Sequence, residues 1–348
     1  MPPFTNSIQN HRISHELLQT IRLLGEFKGR QELFRAQSPQ VLETLRQGSM
    51  IESTESSNRL EGITAPHERI ADLVAKRSEP KNRPEQEIAG YRDALNLIHT
   101  SHGQIRFEVE TVLALHRDIH RFSVSEGGVW KSKDNEITET LPDGSKVLRF
   151  KPVSAEGTPW AMESLHREFD ALWNSGSVEP LLVIPAYILD FLCIHPFLDG
   201  KGRTARLLTL LLLYKAGYEV GRFISLEQLI ERTKASYYDS LHASSQNWHE
   251  HRHELTPWTE YFLGVVLLGA YREFASRVGA VTATRGAKRE MILDAIHRLP
   301  SEFRFADVER LSPGVSRPTM NRALAEMRNA GKIRCVKGGR DALWRKTD

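Results

Sequence analysis

Cysteine is scarce in this sequence, with two residues among 348. Cys193 and Cys335 lie far apart in unlike contexts, which gives neither a disulfide framework nor the spacing of a cysteine metal site. Such a chain suits a reducing compartment, and we expect the cytoplasm. The fold must therefore depend on packing, and a hydrophobic content of 40% is enough for one large core or two unequal ones.

Long apolar runs and a strong excess of one charge are also absent. The longest apolar run, around Leu207 to Tyr214, is too short to span a bilayer. The first ten residues, MPPFTNSIQN, lack a basic segment followed by an apolar one. The net charge is only +3, so no field of the whole molecule points to a membrane or to nucleic acid. We expect neither export nor a membrane partner.

What the sequence does contain is helical periodicity. Apolar residues recur at three- and four-residue spacing in segments such as EIAGYRDALNLIHT and RFEVETVLALHRDIHRF, at residues 87–100 and 106–122. One segment differs, because Pro142 to Gly144 form a turn signal between two short strand-like pieces at residues 137–141 and 146–150. The pattern predicts a mainly α-helical protein with a β-hairpin in its main body.

Residues 193–214, CIHPFLDGKGRTARLLTLLLLY, place polar side chains directly before a leucine-rich helix. If that helix begins near Gly202, the amides of residues 200–203 point outward at its positive end, where glycines let an anion approach closely. Arg203 and Arg206 lie on the first helical turn, and their guanidinium groups suit phosphate oxygens. The stretch predicts a phosphate-binding helix start.

Two further side chains add reactive groups to this helix start. Asp199 is a hard oxygen ligand suited to Mg²⁺, which often binds through one or two carboxylates together with phosphates. His195 titrates near neutrality, and its neutral form can take a proton from an attacking hydroxyl. Each residue taken singly fits an ordinary helix start better, and only their combination favours a catalytic site.

Residues 195–206, HPFLDGKGRTAR, resemble the signature of the Fic family, HPFx(D/E)GNGRxxR. The resemblance implies a Fic-type helical core and transfer of a nucleotide monophosphate, usually AMP from ATP, to a protein hydroxyl with release of pyrophosphate. By the same resemblance, His195 is the base, Asp199 the Mg²⁺ ligand, Gly200 and Gly202 the α-phosphate cradle, and Arg203 and Arg206 the ligands of the β- and γ-phosphates.

The signature is broken at Lys201, where the family normally has asparagine. Lysine is longer and carries a point charge, so it can reach a phosphate but cannot reproduce the orientation of a short amide. Three functions therefore stay open. They are AMP transfer, a transferase that uses another nucleotide or transfers phosphate, and a DNA-binding regulator with a weakened Fic site.

Upstream, residues 57–62, SNRLEG, resemble the (S/T)xxxE(G/N) inhibitory motif of the same family. Ser57 and Glu61 are one helical turn apart and share a helix face, and Gly62 can end the helix just after Glu61. The resemblance implies that Glu61 pairs with Arg206 and denies the γ-phosphate its productive position. We predict an N-terminal inhibitory helix, with a solvated helix end as the alternative.

Two outer features complete the resemblance, which covers roughly residues 50–250. The hairpin resembles the family's flap, which holds a target segment by adding a strand. Tyr237 and Tyr238 occupy the region in which family members carry tyrosines near the adenine. Adjacent helical residues do not share one face, so we expect one of them, Tyr238, to bind the nucleotide. The alternative role of the tyrosines is core packing, and the alternative to a flap is a plain surface hairpin.

The C-terminal segment has a composition of its own. Residues 285–348 contain fifteen Lys or Arg and eight Asp or Glu, a net charge of +7 that leaves −4 for the rest of the chain. Three helical segments, the third with Ser316 at its N-cap, precede two strand-like pieces around Gly338 and Gly339. This order resembles a winged helix-turn-helix. Its charge suits DNA phosphates, and protein docking or dimerisation is the alternative.

The predictions can be stated together. We expect a Fic catalytic domain with its inhibitory helix at residues 1–279, a small polar linker at 280–284 and a winged helix-turn-helix domain at 285–348. The activity is Mg²⁺-dependent AMP transfer from ATP to a Ser, Thr or Tyr hydroxyl of a protein target or of the chain itself. The state of assembly stays open, a homodimer included. DNA is expected at the start of the third C-terminal helix, at Arg317, Thr319, Asn321 and Arg322.

Overall fold

The computed structural model of the protein describes residues 4–35, 39–140, 143–283, 287–312, 315–339 and 342–347. Over these residues the protein is mainly helical, as the periodicity predicted. Residue contacts divide the chain into two compact units. One consists of Met1–Glu26 and Leu45–Tyr271, and the other of Phe27–Thr44 and Arg272–Asp348.

Thirteen α-helices account for most of the described chain before residue 284. They are α1 Phe4–Gln9, α2 His15–Arg35, α3 Pro39–Leu60, α4 His67–Val74, α5 Arg83–Ser101, α6 Val109–Ile119, α7 Thr158–Ser175, α8 Pro180–Ile194, α9 Lys201–Lys215, α10 Leu226–Arg232, α11 Lys234–Ser245, α12 Thr256–Glu260 and α13 Leu268–Ala283. A π-helical segment, Tyr261–Leu267, joins α12 to α13.

Helices α8 and α9 form the centre of the first unit. Nearly every side chain of α8 is buried, and so are all those of α9 from Arg203 to Tyr214, which is the pattern of helices enclosed on every side. Helices α5, α6 and α7 pack around this pair. No helix in the part of the chain that the structure describes is both long and apolar enough to cross a membrane.

The predicted hairpin lies between α6 and α7. Strand β1 (Ile137–Thr140) pairs antiparallel with β2 (Lys146–Phe150), and the register shifts between Ile137 and Thr138. Gly144 has a φ of +83°, which explains the glycine in the turn signal. Two residues of the predicted hairpin, Leu141 and Pro142, lie outside the described residues.

The second unit contains three helices and a small sheet after residue 286. These are α14 Ala287–Arg298, β3 Glu302–Arg304, α15 Phe305–Leu311, α16 Arg317–Asn329, β4 Ile333–Lys337 and β5 Leu343–Lys346, with the strands in the antiparallel order β3-β5-β4. Buried apolar side chains such as Ile296, Phe303 and Leu324 form their common core. Strand β3 was not predicted, because its three residues are too few to give a pattern.

One segment differs from its prediction. Helix α13 continues through Ala283, so four of the five residues assigned to a linker at 280–284 are helical. The fifth, Thr284, lies outside the described residues. Small residues suggested a linker, but two of the four, Ala280 and Ala283, are alanines, which favour helix most strongly. The domain limits at 279 and 285 stay predictions.

Candidate active site

The candidate site begins in the loop that joins α8 to α9. His195 ends α8 in a left-handed conformation with φ of +54°, and Gly200 precedes α9 with φ of +74°. A Cβ added at Gly200 would lie 2.8 Å from His120 Nε2 and from the Ile119 side chain. Glycine is therefore required at position 200 both by its backbone angle and by the closeness of α6.

His195 is buried and carries its proton on a defined nitrogen. Its Nδ1 lies 3.2 Å from the carbonyl oxygen of Leu192. Because a carbonyl can only accept, Nδ1 is the protonated nitrogen and Nε2 keeps its lone pair. Burial, helped by the charges of Lys201 and Lys131, lowers the pKa of His195 to about 3. The ring is therefore neutral at physiological pH, with one nitrogen able to accept a proton.

The His195 side chain borders a cavity of about 640 Å³. Its walls come from the hairpin, α8, the start of α9 and α11, and include Glu136, Ile137, Arg149, Phe150, Leu192, Lys201, Gly202, Arg206, Tyr237 and Tyr238. The volume falls within the range of small-molecule and cofactor sites, about 300–1,000 Å³. The hairpin, the neutral histidine and a helix N-terminus thus meet at one space.

Glu61 also borders this cavity and contacts Arg206 on the first turns of α9. Arg206 Nη2 donates to Glu61 Oε1 at 2.9 Å and to the carbonyl of Ser57 at 2.8 Å, and Arg206 Nε donates to Ser57 Oγ at 2.8 Å. The guanidinium is almost wholly buried, and although burial disfavours its charge, Glu61 helps to raise the pKa of Arg206 above its ordinary value. Ser57 and Glu61 thus bind one arginine together.

The end of α3 fixes the position of Glu61. The amide of Ile63 donates to the carbonyl of Asn58, and that of Gly62 to the carbonyl of Arg59, which is the Schellman pattern of a helix end. Gly62 adopts the φ of +78° that this ending requires. The serine, glutamate and glycine spacing of the motif therefore has a direct structural basis.

The Glu61 carboxylate lies against the first turn of α9. A Cβ added at Gly202 would collide with Glu61 Oε1. The amides of a first helical turn have no carbonyl partner within the helix and carry partial positive charge. Glu61 therefore occupies the place at which this helix start can attract an anion.

Asp199 lies beside the same helix start, with its side chain about half exposed. Its Oδ1 accepts from the Gly200 amide at 2.7 Å. Burial acts to raise the pKa of Asp199, but the Gly200 bond and the charges of Arg203 and Lys201 outweigh it and hold the pKa below its ordinary value. Asp199 is thus an ionised, accessible oxygen ligand. Among the described residues no group of three or more His, Cys, Asp or Glu can hold a metal by itself.

Arg203 is paired with an acid outside the helix start, and its predicted role as a phosphate ligand stays a prediction. Its side chain is completely buried and forms an ion pair with Glu87 of α5, with Nη1 to Oε2 at 2.9 Å but an angle poor for a hydrogen bond. Asp199 Oδ1 lies 3.8 Å from the same guanidinium. The prediction missed this because the spacing within α9 says nothing about an acid on α5.

The two tyrosines of α11 both contribute to the cavity wall. Tyr237 is buried against Trp258 and Tyr261, whereas Tyr238 is 45% exposed. Their rings meet edge to face, with centroids 5.1 Å apart. The expectation that only one of them would face the site was too strict, because a ring pair at the edge of a helix can cover one wall. Lys201 lines the cavity too, and its Nζ donates to the Leu198 carbonyl at 3.3 Å.

A residue of α6 that binds the loop between α8 and α9 was not predicted from the sequence. His116 Nε2 donates to the Asp199 carbonyl at 3.0 Å, while its Nδ1 accepts from the Gly128 amide at 2.9 Å. Burial lowers the pKa of His116 to about 4, and its ring stacks on Phe197 with centroids 3.6 Å apart. His116 and His120 are four residues apart, and this spacing was the available signal.

The residues predicted to contact DNA lie together on the first turns of α16. Asn321 and Arg322 are exposed, whereas Arg317 forms two hydrogen bonds with Glu309 at 2.8 and 2.9 Å. Ser316 is the N-cap residue of α16, as predicted, and its hydroxyl contacts Thr319 Oγ1 at 2.9 Å rather than a backbone amide.

Comparison with known proteins agrees with this geometry. Residues 106–213 match the sequence model of the Fic/DOC family, a range that contains residues 195–206 but neither Glu61 nor Tyr238. Protein adenylyltransferase fic-1 of Caenorhabditis elegans is 27% identical over 186 residues, 51% of this chain and 32% of that protein. Protein adenylyltransferase Fic of Drosophila persimilis is 24% identical over 229 residues, 62% of this chain and 42% of that protein. The chain thus spans less than half the length of these curated relatives.

Solved structures show the same fold. A Fic family protein from Desulfovibrio desulfuricans G20 superposes with a TM-score of 0.62 at 21% identity, covering 100% of this chain and 98% of that one. Fic-1 from C. elegans superposes with a TM-score of 0.57 at 20% identity, covering 77% and 73%. Fold and site together define a protein with a Fic-type helical core. The match to the Fic/DOC family, at residues 106–213, lies within this core.

Proposed function

We propose that this protein is an adenylyltransferase that moves AMP from ATP to a Ser, Thr or Tyr hydroxyl of a protein target or of the chain itself. The observation that carries the proposal is the neutral His195, which lines the cavity beside the start of α9 and whose Nε2 keeps its lone pair. The names of the curated relatives support the same activity.

The proposed step needs one base and one leaving group. His195 Nε2 takes the proton of the target hydroxyl, whose oxygen forms a bond to the α-phosphorus of ATP. The bond from that phosphorus to the bridging oxygen breaks, and pyrophosphate leaves. A base with a pKa of about 3 is weak, but the negative charge of a bound triphosphate raises the pKa of a nearby imidazole toward the working pH.

Asp199 fits the Mg²⁺ that the proposed reaction requires. One accessible carboxylate is enough where nucleotide phosphates supply other ligands, and the ion would neutralise phosphate charge. In our proposal Gly200, Lys201, Gly202, Arg206 and Tyr238 bind the nucleotide, and Arg203 joins them only if it leaves Glu87. Calorimetry of ATP binding with and without Mg²⁺ tests Asp199, because Asp199→Asn should remove the difference between the two titrations.

Glu61 restrains this activity in our proposal. Its carboxylate occupies both the guanidinium of Arg206 and the front of α9, so the γ-phosphate of ATP has no place there while Glu61 stays bound. The support is geometric, because residues 57–62 lie outside the range that matches the Fic/DOC family.

Intact mass measurement decides between the candidate functions. The wild-type chain and the Glu61→Gly variant are incubated with Mg²⁺ and each of ATP, GTP, UTP and CTP. A gain of one adenylyl group in Glu61→Gly, reduced on the order of 10² to 10⁴ in rate by the further change His195→Ala, supports the proposal. A gain of a different nucleotide or of phosphate favours the alternative transferase that Lys201 suggests. No adduct on the chain from any nucleotide refutes self-modification by either transferase.

DNA binding is a second proposed function, carried by the +7 charge of residues 285–348. The helix and strand order of α14, β3, α15, α16, β4 and β5 is consistent with a winged helix-turn-helix, in which α16 is the recognition helix. This function is independent of transfer. An active or an inactive Fic site is compatible with it.

A further inference from the structure

The four main-chain carbonyls from Ile194 to Phe197 all receive donors from two residues before the hairpin. Lys131 Nζ donates to the Ile194 carbonyl at 3.1 Å, and the Lys131 amide donates to that of Pro196 at 2.8 Å. Asn135 Nδ2 donates to the Phe197 carbonyl at 3.2 Å and, over a longer 3.5 Å, to that of His195. The whole turn that carries the proposed base is thus bound through its main chain.

Lys131 and Asn135 are also bound to each other. Lys131 Nζ donates to Asn135 Oδ1 at 2.9 Å. Because an ammonium only donates, the amide oxygen of Asn135 must face Lys131, and its nitrogen must then face the loop carbonyls. The two side chains therefore form one connected unit, which we call the loop clamp.

The clamp explains how His195 keeps its backbone conformation. A side chain with a Cβ is strained at a φ of +54°, and such residues persist only where the surroundings fix them. The clamp binds the carbonyls before, at and after this residue. Burying a lysine for this purpose has a cost, since burial lowers the pKa of Lys131 to about 8.

The clamp lies at the base of the hairpin. Asn135 directly precedes Glu136 and Ile137, which line the same cavity as His195, and Ile137 is the first residue of β1. The segment from Lys131 to Ile137 therefore both borders the cavity and binds the loop that carries His195.

We propose that Lys131 and Asn135 are positioning residues that hold the His195 ring in its reactive placement through the main chain of its loop. The proposal rests on the proposed function in that His195 is the base. It predicts a loss of turnover without a loss of nucleotide affinity, since neither residue contacts Arg206 or the start of α9 in the hydrogen bonds described.

Asn135→Asp is the sharpest test, made in the Glu61→Gly background. Aspartate keeps an oxygen for Lys131 but places oxygen instead of nitrogen against the carbonyls of His195 and Phe197. We expect kcat to fall on the order of 10²-fold, the effect of a small misplacement of a reacting group, while the Kd of ATP from calorimetry stays within about twofold. Lys131→Met should act in the same direction but by less, because it also removes a charge that lowers the pKa of His195. Lys133→Met and Asn174→Asp, which change exposed residues, are the matched controls.

The ring resonances of His195, assigned by comparison with His195→Gln, give a readout that does not need activity. They should shift or broaden in Asn135→Asp and not in Asn174→Asp. If the parent Glu61→Gly variant transfers nothing, the proposed function fails and these resonances alone decide about the clamp. An unchanged kcat with unchanged resonances overturns the clamp, and so does an equal loss of kcat and ATP affinity.

Discussion

Lys201 is the residue at which this site departs from the Fic signature. Its ammonium lines the cavity beside the start of α9 and is one of the charges that lower the pKa of His195. An asparagine in the same place would present a fixed donor and acceptor, and no charge. We therefore expect the exchange of these two residues to alter both phosphate binding and base strength.

We predict that Lys201→Asn speeds adenylyl transfer in the Glu61→Gly background. Loss of the charge lets the pKa of His195 rise, and one oriented hydrogen bond is worth about 0.5–1.5 kcal/mol, which corresponds to a rate change of up to about tenfold. Initial rates with ATP, GTP, UTP and CTP measure the effect. Lys81→Asn, at an exposed residue, is the control. Identical rates and nucleotide order in Lys201→Asn would show that position 201 does not tune the site.

Helices α3 and α9 contact each other through charged and polar groups. Arg206 has three hydrogen bonds to α3 and the residue that follows it, so in our proposal a phosphate must take the place of Glu61 at the guanidinium. Two serines of α3 also hold this helix against the chain that follows α9. Ser49 donates to the Gly221 carbonyl and Ser53 to Ser225 Oγ. We therefore expect this contact between α3 and α9 to control nucleotide binding at the proposed site.

We predict that Glu61→Gly raises transfer by roughly 10- to 100-fold, because a hydrogen bond between charged groups is worth about 1.5–3 kcal/mol. Glu61→Gln, which keeps the shape but not the charge, should give an intermediate rate. The rate of adduct formation by intact mass is the measurement.

The double variant identifies the partner of Glu61. Arg206→Ala combined with Glu61→Gly should return transfer to background, since the freed guanidinium is the group that holds the γ-phosphate. Full activity in the double variant would exclude Arg206 from the site. A Glu61→Gly variant no faster than wild type would return residues 57–62 to a plain helix end.

Helix α16 offers a separate test of DNA binding. Arg322 is exposed on its first turns, while Arg317 is already paired with Glu309. We predict that Arg322→Ala weakens DNA binding at every sequence tested and lowers the slope of log affinity against log salt by about 1. Fluorescence anisotropy over a salt series measures both. Arg328→Ala, on the last turn of the same helix, should have less effect, and equal losses in the two variants would place the DNA contact elsewhere.

Local patterns could be predicted from the sequence, and partners distant in the chain could not. The start of α9 was predicted correctly from Gly200, Gly202 and the leucines that follow, because a helix start depends on residues close together in the chain. The pairing of Arg203 with Glu87 and the contacts of Lys131 depend on how α5 and the pre-hairpin segment pack, which no spacing reveals. The small residues at 280–283 are helical because helix propensity outweighs the composition on which the linker prediction was based, and the domain limits stay predictions.

Across the first unit, buried and partly buried histidines share one electrostatic state. Burial is the main cause that lowers the pKa of His99 and His195 to about 3, and of His116, His166 and His253 to about 4. In the unfolded chain the same groups titrate near pH 6.5. Between pH 6.5 and these lowered values, the unfolded state therefore binds more protons than the folded state.

We predict that the free energy of unfolding falls steeply as the pH drops from about 7 to about 5, because each buried histidine removes about 1.4 kcal/mol per pH unit below 6.5. Urea unfolding followed by tryptophan fluorescence measures this, since five of the six tryptophans lie between residues 130 and 258. His166→Gln keeps a polar group near the Tyr187 hydroxyl, which lies 3.1 Å from His166 Nε2. It should reduce the slope of unfolding free energy against pH by the contribution of one histidine, about 1.4 kcal/mol per pH unit. His15→Gln, at an exposed residue, should leave the slope unchanged. Equal slopes in the wild type and His166→Gln would mean that His166 titrates in the folded protein as it does in the unfolded chain. A free energy of unfolding that does not change over this pH range would contradict the neutral state of all five histidines.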